Sequence, residues 1–222
     1  MPRNTFITVG FSTTNPHKLR ETVACFERLN SQVQVTGLPP PVEVAETGST
    51  FCENATLKLQ ACLAQQIPSE IDFVIAEDSG LMIDALEGFP GVVSDRWMAG
   101  SYTEKNQEIL ERMTGQSNRN ARYEACLACW SRATGLISHY TGTVELLVAE
   151  MPQGENGFGY DPIMIPAISG TTRTMAQLAS DEKNRLSHRF NALAQFWKAH
   201  APAGTGPSDY CASRAHGPDD IG

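Results

Sequence analysis

Apolar and polar residues alternate over positions 5–11, with Ile7, Val9 and Phe11 on one side, and this predicts a first strand. The loop Ser12-Thr13-Thr14-Asn15 follows. Asn15-Pro16 then has the order of a helix cap followed by proline at the first helical position. Leu19, Val23, Phe26 and Leu29 continue at helical spacing. Thr50 and Glu53 have capping-box spacing ahead of a second helix carrying Phe51, Ala55, Leu59 and Leu63. The apolar run 71–76 predicts a buried strand ending at Glu77-Asp78-Ser79-Gly80. A third helix is predicted over Thr103–Met113, closed by Gly115. Two strands over 123–130 and 137–150 flank a turn at 132–135. After the glycine-rich loop 154–162, one helix opening at Ser180 carries Leu186, Phe190, Leu193 and Trp197 on a single stripe.

Helices and strands interleave at first and a strand-rich stretch follows, which predicts an α/β fold with a mixed β-sheet. A chain of 222 residues suffices for one sizeable core. One domain is expected over 1–198, with a flexible tail over 199–222 that is rich in Ala, Gly, Pro and Ser. The net charge is −8, from 17 Lys and Arg against 25 Asp and Glu. That balance argues against a nucleic-acid partner, which calls for a basic surface. No stretch approaches the roughly 20 apolar residues of a membrane span, and the start lacks the pattern of a signal peptide. Six cysteines (Cys25, Cys52, Cys62, Cys126, Cys129 and Cys211) lie mostly in apolar runs. They read as buried, reduced thiols of a cytoplasmic protein, with zinc or redox chemistry at Cys126-x-x-Cys129 as the lesser reading.

Five groups of residues could carry chemistry. The loop at Thr13, Asn15 and Lys18 offers backbone N–H groups, hydroxyls and a cation to a phosphate; otherwise Asn15 only caps the helix and Lys18 is solvated. Glu77 and Asp78 form a carboxylate pair suited to Mg²⁺, or else a turn in which Asp78 bonds the amides of Ser79 and Gly80. Glu46, Glu53, Asn54 and Lys58 form the third group. The capping box accounts for Glu53, whereas Glu46 sits in a loop and is freer to reach a metal. In Gly157-Phe158-Gly159-Tyr160-Asp161-Pro162, two aromatic rings between glycines either stack on a flat base or turn into the core. Lys183 and Ser187, with His188 and Arg189 beside them, lie off the apolar stripe of the last helix, as a solvated face or as a binding face.

Taken in chain order, these segments resemble the inosine triphosphate pyrophosphatase family, which hydrolyses non-standard purine nucleoside triphosphates. The resemblance rests on Thr13, Asn15 and Lys18, on ETGSTFCENATLK at 46–58 and on EDSGLMIDALEGFPGVVSDRWMAG at 77–100. It continues with GFGYDP at 157–162 and TMAQLASDEKNRLSHR at 174–189. It implies an elongated two-lobed fold with a long central mixed sheet, a substrate cleft between the lobes, a homodimer and a requirement for Mg²⁺. It implies that Asp78 is the catalytic carboxylate, with Glu77 or Asp78 orienting the attacking water, and that Asp78 and Glu46 hold the metal. Thr13, Asn15, Lys18, Lys58, Ser79 and Arg96 are implied at the phosphates. Phe158, Gly159, Tyr160 and Asp161 match the base-binding loop, and Lys183, His188 and Arg189 its partner helix. Two departures stand out. The family often has Asp-Asp where this chain has Glu77-Asp78, and Glu-Glu where it has Ala45-Glu46, which leaves Glu43 as an alternative second ligand. The rival readings are a pyrophosphatase of the same fold for another nucleotide, a nucleotide-binding module without catalysis, and a dimeric scaffold.

Overall fold

In a computed structural model, residues 6–30, 32–38, 44–168 and 170–201 are described. The expected tail over 202–222, Cys211 and the alternative ligand Glu43 lie outside them. Seven strands form one mixed sheet in the order β2-β1-β3-β5-β6-β7, with β4 paired to β3. β1 (Ile7–Ser12) runs parallel to both β2 (Val33–Leu38) and β3 (Phe73–Ile83). β5 (Asn120–Ser131), β6 (Ile137–Val148), β7 (Met164–Pro166) and the short β4 (Phe89–Pro90) pair antiparallel. The mixed sheet flanked by helices is the architecture expected from the chain pattern. β2 was not expected, although Val33 and Val35 alternate with Gln34 and Thr36 in its segment VQVTGL; it is a short strand at the sheet edge.

The first two helices start where the sequence places them. Asn15 accepts from the amides of His17 and Lys18 at the start of α1 (Pro16–Leu29), with Pro16 at its first position. Thr50 and Glu53 form a capping box on α2 (Phe51–Leu63). In α3 (Tyr102–Arg112) a second capping box, Ser101 with Glu104, starts the helix.

Two expectations are corrected, and both bear on the site. The third strand does not end at Glu77. Pairing with β5 carries β3 through the polar residues to a second apolar segment, Leu81 and Ile83. β1, by contrast, pairs only as far as Ser12 opposite Ala76. The strand therefore loses its neighbour on one edge just where the carboxylates begin, and a cleft opens there. The predicted last helix is two helices, α4 (Ser180–Arg185) and α5 (His188–His200). Ser187 breaks the run by capping α5 through the amide of Phe190, so His188 and Arg189 occupy a first turn. α5 also continues past the expected tail start at Ala199.

Two apolar clusters flank that cleft on one face of the sheet. One joins Val9, Phe11, Ile75 and Leu127 to Phe190, Phe196 and Trp197. The other joins Leu81, Ile83, Tyr123 and Leu146 to Ile109 and Ile163. A third cluster packs α2 on the opposite face through Ala55, Leu59, Val74 and Ala76. The N-terminal turns of α5 lie against β6 at Gly142, where a Cβ would fall 2.1 Å from the His188 carbonyl oxygen. Only glycine permits that approach.

The cysteine expectation is overturned in part. Cys52, in the first turn of α2, is bonded to Cys126 on β5 in a disulfide with a Cα–Cα separation of 5.0 Å. Cys25, Cys62 and Cys129 are free and buried, as expected. Cys126 and Cys129 do not act as a pair. An odd separation in a strand sends them to opposite faces of the sheet, and Cys129 packs into the Phe196–Trp197 cluster. Among the described residues no helix is long and apolar enough to cross a membrane.

Candidate active site

The cleft has a volume of about 1160 Å³ and is lined from the β1–α1 loop, the 44–46 loop, β3, the 94–96 segment, the 158–161 loop and α4–α5. Of the described candidate residues of the sequence analysis, it takes in all but Glu53, Asn54, Gly157, Pro162 and the pair Cys126 and Cys129. Glu53 is consumed by its capping box, accepting from the Ser49 and Thr50 amides.

Glu77 and Asp78 are not one carboxylate pair. Alternation along β3 turns Glu77 toward α1 and α5 and Asp78 toward α2. The Asp78 side is built by Lys58, Glu46, Asn54 and Arg96. Lys58 Nζ lies 2.6 Å from Asp78 Oδ1 and 2.6 Å from Glu46 Oε1. Asn54, fully buried, donates through Nδ2 to Asp78 Oδ2 at 3.2 Å and accepts the Gly48 amide at 2.8 Å. Arg96 closes the outer edge with a salt bridge to Glu46 and a 3.0 Å bond to its carbonyl. Burial alone would lower the Lys58 pKa, but Asp78 and Glu46 outweigh it and raise the value above the ordinary lysine range.

Two oxygen donors from separate elements thus converge on one cation, the lysine ammonium. Hard carboxylate oxygens in this number suit Mg²⁺, which uses one or two carboxylates and fills its remaining positions with water and substrate phosphates. Among the described residues no cluster of three or more His, Cys, Asp or Glu could hold a metal.

Glu77 is 4% exposed and is clamped by Arg189, which donates from Nε at 2.5 Å and from Nη2 at 2.7 Å. Lys18 Nζ is 3.3 Å from the same carboxylate. Burial would raise its pKa, yet Arg189 and Lys18 prevail and hold the carboxyl well below the usual range. The third donor nitrogen of Arg189, Nη1, is bonded to Glu21 of α1. Glu21 also holds Lys183 Nζ at 3.0 Å. Lys183 in turn reaches Asp161 at 2.8 Å and lies 4.6 Å from the Phe158 ring centroid.

The 158–161 loop splits the two aromatic readings. Phe158 is half-buried in the cleft, with the His17 ring 5.3 Å away. Tyr160 turns into the core, donating to the Ser94 carbonyl and accepting from Trp97 Nε1. Asp161 is 3% exposed and ties the loop down, accepting from the Phe158 amide at 2.9 Å and from the Tyr123 hydroxyl at 3.2 Å. Gly157 has a φ of 77°, and a Cβ there would meet Asp161 Oδ2 at 2.2 Å. Both facts exclude other residues from this turn. His188 contacts the Tyr123 ring, and burial beside Arg189 lowers its pKa to about 3, so its imidazole is neutral. At the other end of the cleft, Thr13 Oγ1 accepts the Asn15 amide and Ser79 faces the opening. Sequence reasoning missed Glu21, and it assigned no role to His17 within the loop that it singled out. The spacing Lys18–Glu21, one helical turn, was the available signal for Glu21.

Chains of known kind resemble this one in sequence and in fold. The sequence pattern of the Ham1 family matches residues 9–199. A dITP/XTP pyrophosphatase of an Exiguobacterium species is 39% identical over 185 residues, spanning 82% of this chain and 91% of that protein. One from Symbiobacterium thermophilum is 40% identical over 190 residues, spanning 83% and 90%. Among solved structures, the Ham1 protein of Staphylococcus aureus superposes with a TM-score of 0.71 at 33% identity, over 86% of this chain and 98% of that one. The HAM1 protein of Coxiella burnetii gives 0.72 at 33% identity, over 87% and 98%. On this sequence match and these superpositions, the chain belongs to the Ham1 family.

Proposed function

We propose that this protein hydrolyses non-standard purine nucleoside triphosphates (ITP, dITP and XTP) to the monophosphate and pyrophosphate. The observation that carries this reading is the convergence of Asp78 and Glu46 on a single cation position within reach of the cleft's other cations. The dITP/XTP pyrophosphatase relatives support it.

Asp78 and Glu46 would hold Mg²⁺, whose charge offsets that of the phosphate oxygens when it is bound. Lys18, Lys58 and Lys183 supply further positive charge, and the N-terminus of α1 at Thr13–Asn15 offers backbone N–H groups to a phosphate. Arg96 and Ser79 complete the phosphate end. Asp78 orients the attacking water and accepts its proton. Glu77 serves this chemistry from behind, by fixing Arg189 and Lys18. The resting ion pairs keep each cation in place until the triphosphate arrives, so catalysis draws on positioned charge rather than on reorganisation.

Base choice is assigned to the other end. Phe158 offers a ring to stack on, and Gly159 and Tyr160 offer backbone. Lys183, neutral His188 and the two N–H groups of Arg189 left free of Glu77 and Glu21 offer donors. Hypoxanthine and xanthine carry an O6 acceptor, whereas adenine presents an amino donor at that position, so a donor-lined site rejects adenine.

The reading extends to a homodimer and to a cytoplasmic location, where nucleotide pools are made and used. Exposed Leu147, Met151 and Ile168 near the β6–β7 edge supply apolar surface for contact between copies. It takes residues 1–198 as the catalytic unit. The deciding experiment is pyrophosphate release from ITP, XTP, dITP, GTP, ATP and UTP with and without Mg²⁺, with mass measured by light scattering. Release from ITP, dITP and XTP only with the metal is expected; equal rates on ATP would overturn the reading.

A further inference from the structure

Glu21 is the one residue among those described whose side chain bonds both α4 and α5. Its Oε1 holds Lys183 of α4 at 3.0 Å and its Oε2 holds Arg189 of α5. Between the two helices the chain turns at Leu186–Ser187, where the Leu186 amide bonds the Lys183 carbonyl and the Ser187 side chain caps α5. Glu21 comes from α1, which packs against both α4 and α5, and its side chain is 17% exposed. We propose that Glu21 is a positioning residue for base selection, fixing Lys183 and Arg189 so that their remaining donors meet a keto oxygen and not an amino group.

The argument rests on what a carboxylate can do that no other side chain can. It accepts from two cations at once through two oxygens. An amide has one acceptor and one donor, so at this position it would satisfy one cation and repel the other. The cations at stake reach the base loop directly. Lys183 spans from Glu21 to Asp161 and lies close to Phe158. Arg189 is held flat between Glu77 and Glu21, which uses three of its five N–H donors and fixes where the other two point. Discrimination by hydrogen bonding requires donors held in place. A donor free to swing away meets adenine at no cost, and selectivity falls.

This inference rests on the proposed specificity, and the test separates the two. Steady-state kcat/KM is measured on ITP and on ATP, with Mg²⁺, for the wild-type chain and for Glu21→Gln, Glu21→Asp and His188→Ala. Glu21→Gln is expected to lower the ITP-to-ATP ratio by about tenfold or more, the scale of one lost charge-assisted hydrogen bond. A merely structural role would depress both substrates alike and leave the ratio untouched. An unchanged ratio in Glu21→Gln, beside a fallen ratio in His188→Ala, overturns the role of Glu21 and leaves the proposed specificity standing. A wild-type chain without preference for ITP overturns both. Should Glu21→Gln fail to fold, Glu21→Asp decides: its shorter stem cannot span both cations, so its ratio must fall, and an unchanged ratio overturns the inference.

Discussion

Glu77 and Asp78 are consecutive residues that face opposite sides of β3, and each is bound to its own cation. Arg189 of α5 takes Glu77 in a two-point bond, and Lys58 of α2 takes Asp78 at 2.6 Å. The site thus holds two carboxylates with separate work. One keeps a side chain 8% exposed to the cleft, beside Lys58. The other is sealed against a guanidinium.

Asp78→Asn removes the charge that the proposed mechanism uses to orient water, while keeping the side chain's shape. Turnover on ITP is expected to fall by about 10²–10⁴-fold, with nucleotide affinity changed far less. Single-turnover kinetics alongside equilibrium binding check this. Near-normal turnover would remove Asp78 from the catalytic role.

Glu77→Gln leaves the Arg189 guanidinium buried with an incomplete partner. Both side chains are 1% exposed, so the loss is that of a buried pair broken on one side, about 3–5 kcal/mol of stability. Chemical denaturation measures it. If Glu77 were instead the water-activating base, activity would collapse with stability intact.

Acid should weaken the fold in two stages. His188 has a folded pKa of about 3, below its ordinary 6.5, so between those values the unfolded chain takes up a proton that the folded one refuses. Stability contributed by the neutral ring is therefore present above pH 6.5 and is lost as pH falls toward 3. Glu77, held well below the usual carboxylate range, adds a further loss below about pH 4.5. Thermal unfolding across pH 3–8 is expected to decline throughout the acid side. His188→Asn should flatten the upper part of that decline and leave the lower part.

Reducing the Cys52–Cys126 bond frees a loop of sequence separation 74. By loop-closure entropy the loss is about 4–5 kcal/mol. Melting with and without a dithiol reductant reads it directly. Cys52→Ser should melt at the reduced-state temperature in either condition, and equal melting of the oxidised and reduced wild-type chain would refute the contribution.

Much of this was legible in the chain itself. Asn15-Pro16 and the Thr50–Glu53 box set two helix starts, because capping is chemistry between near neighbours. The apolar runs located the central strands for the same reason. The order of the motifs also carried the family resemblance, and the cleft gathers nearly all of the residues that those motifs nominated. What local pattern could not show was which face each residue would serve. Glu77 and Asp78 read as a pair because the apolar run stops at Ala76, and local sequence does not say that β5 carries β3 on past it.

The sequence by itself determined the helix caps, the buried strands and the residue types that chemistry would need. Those follow from local backbone preferences and from the burial of apolar runs. Only the tertiary structure decided that β3 would continue past its carboxylates, that Ser187 would split the last helix, that Cys52 would meet Cys126, and that Glu21 would join Lys183 to Arg189. Each of these depends on a partner far away in the chain, and the energy of such contacts belongs to the assembled core rather than to any window of sequence.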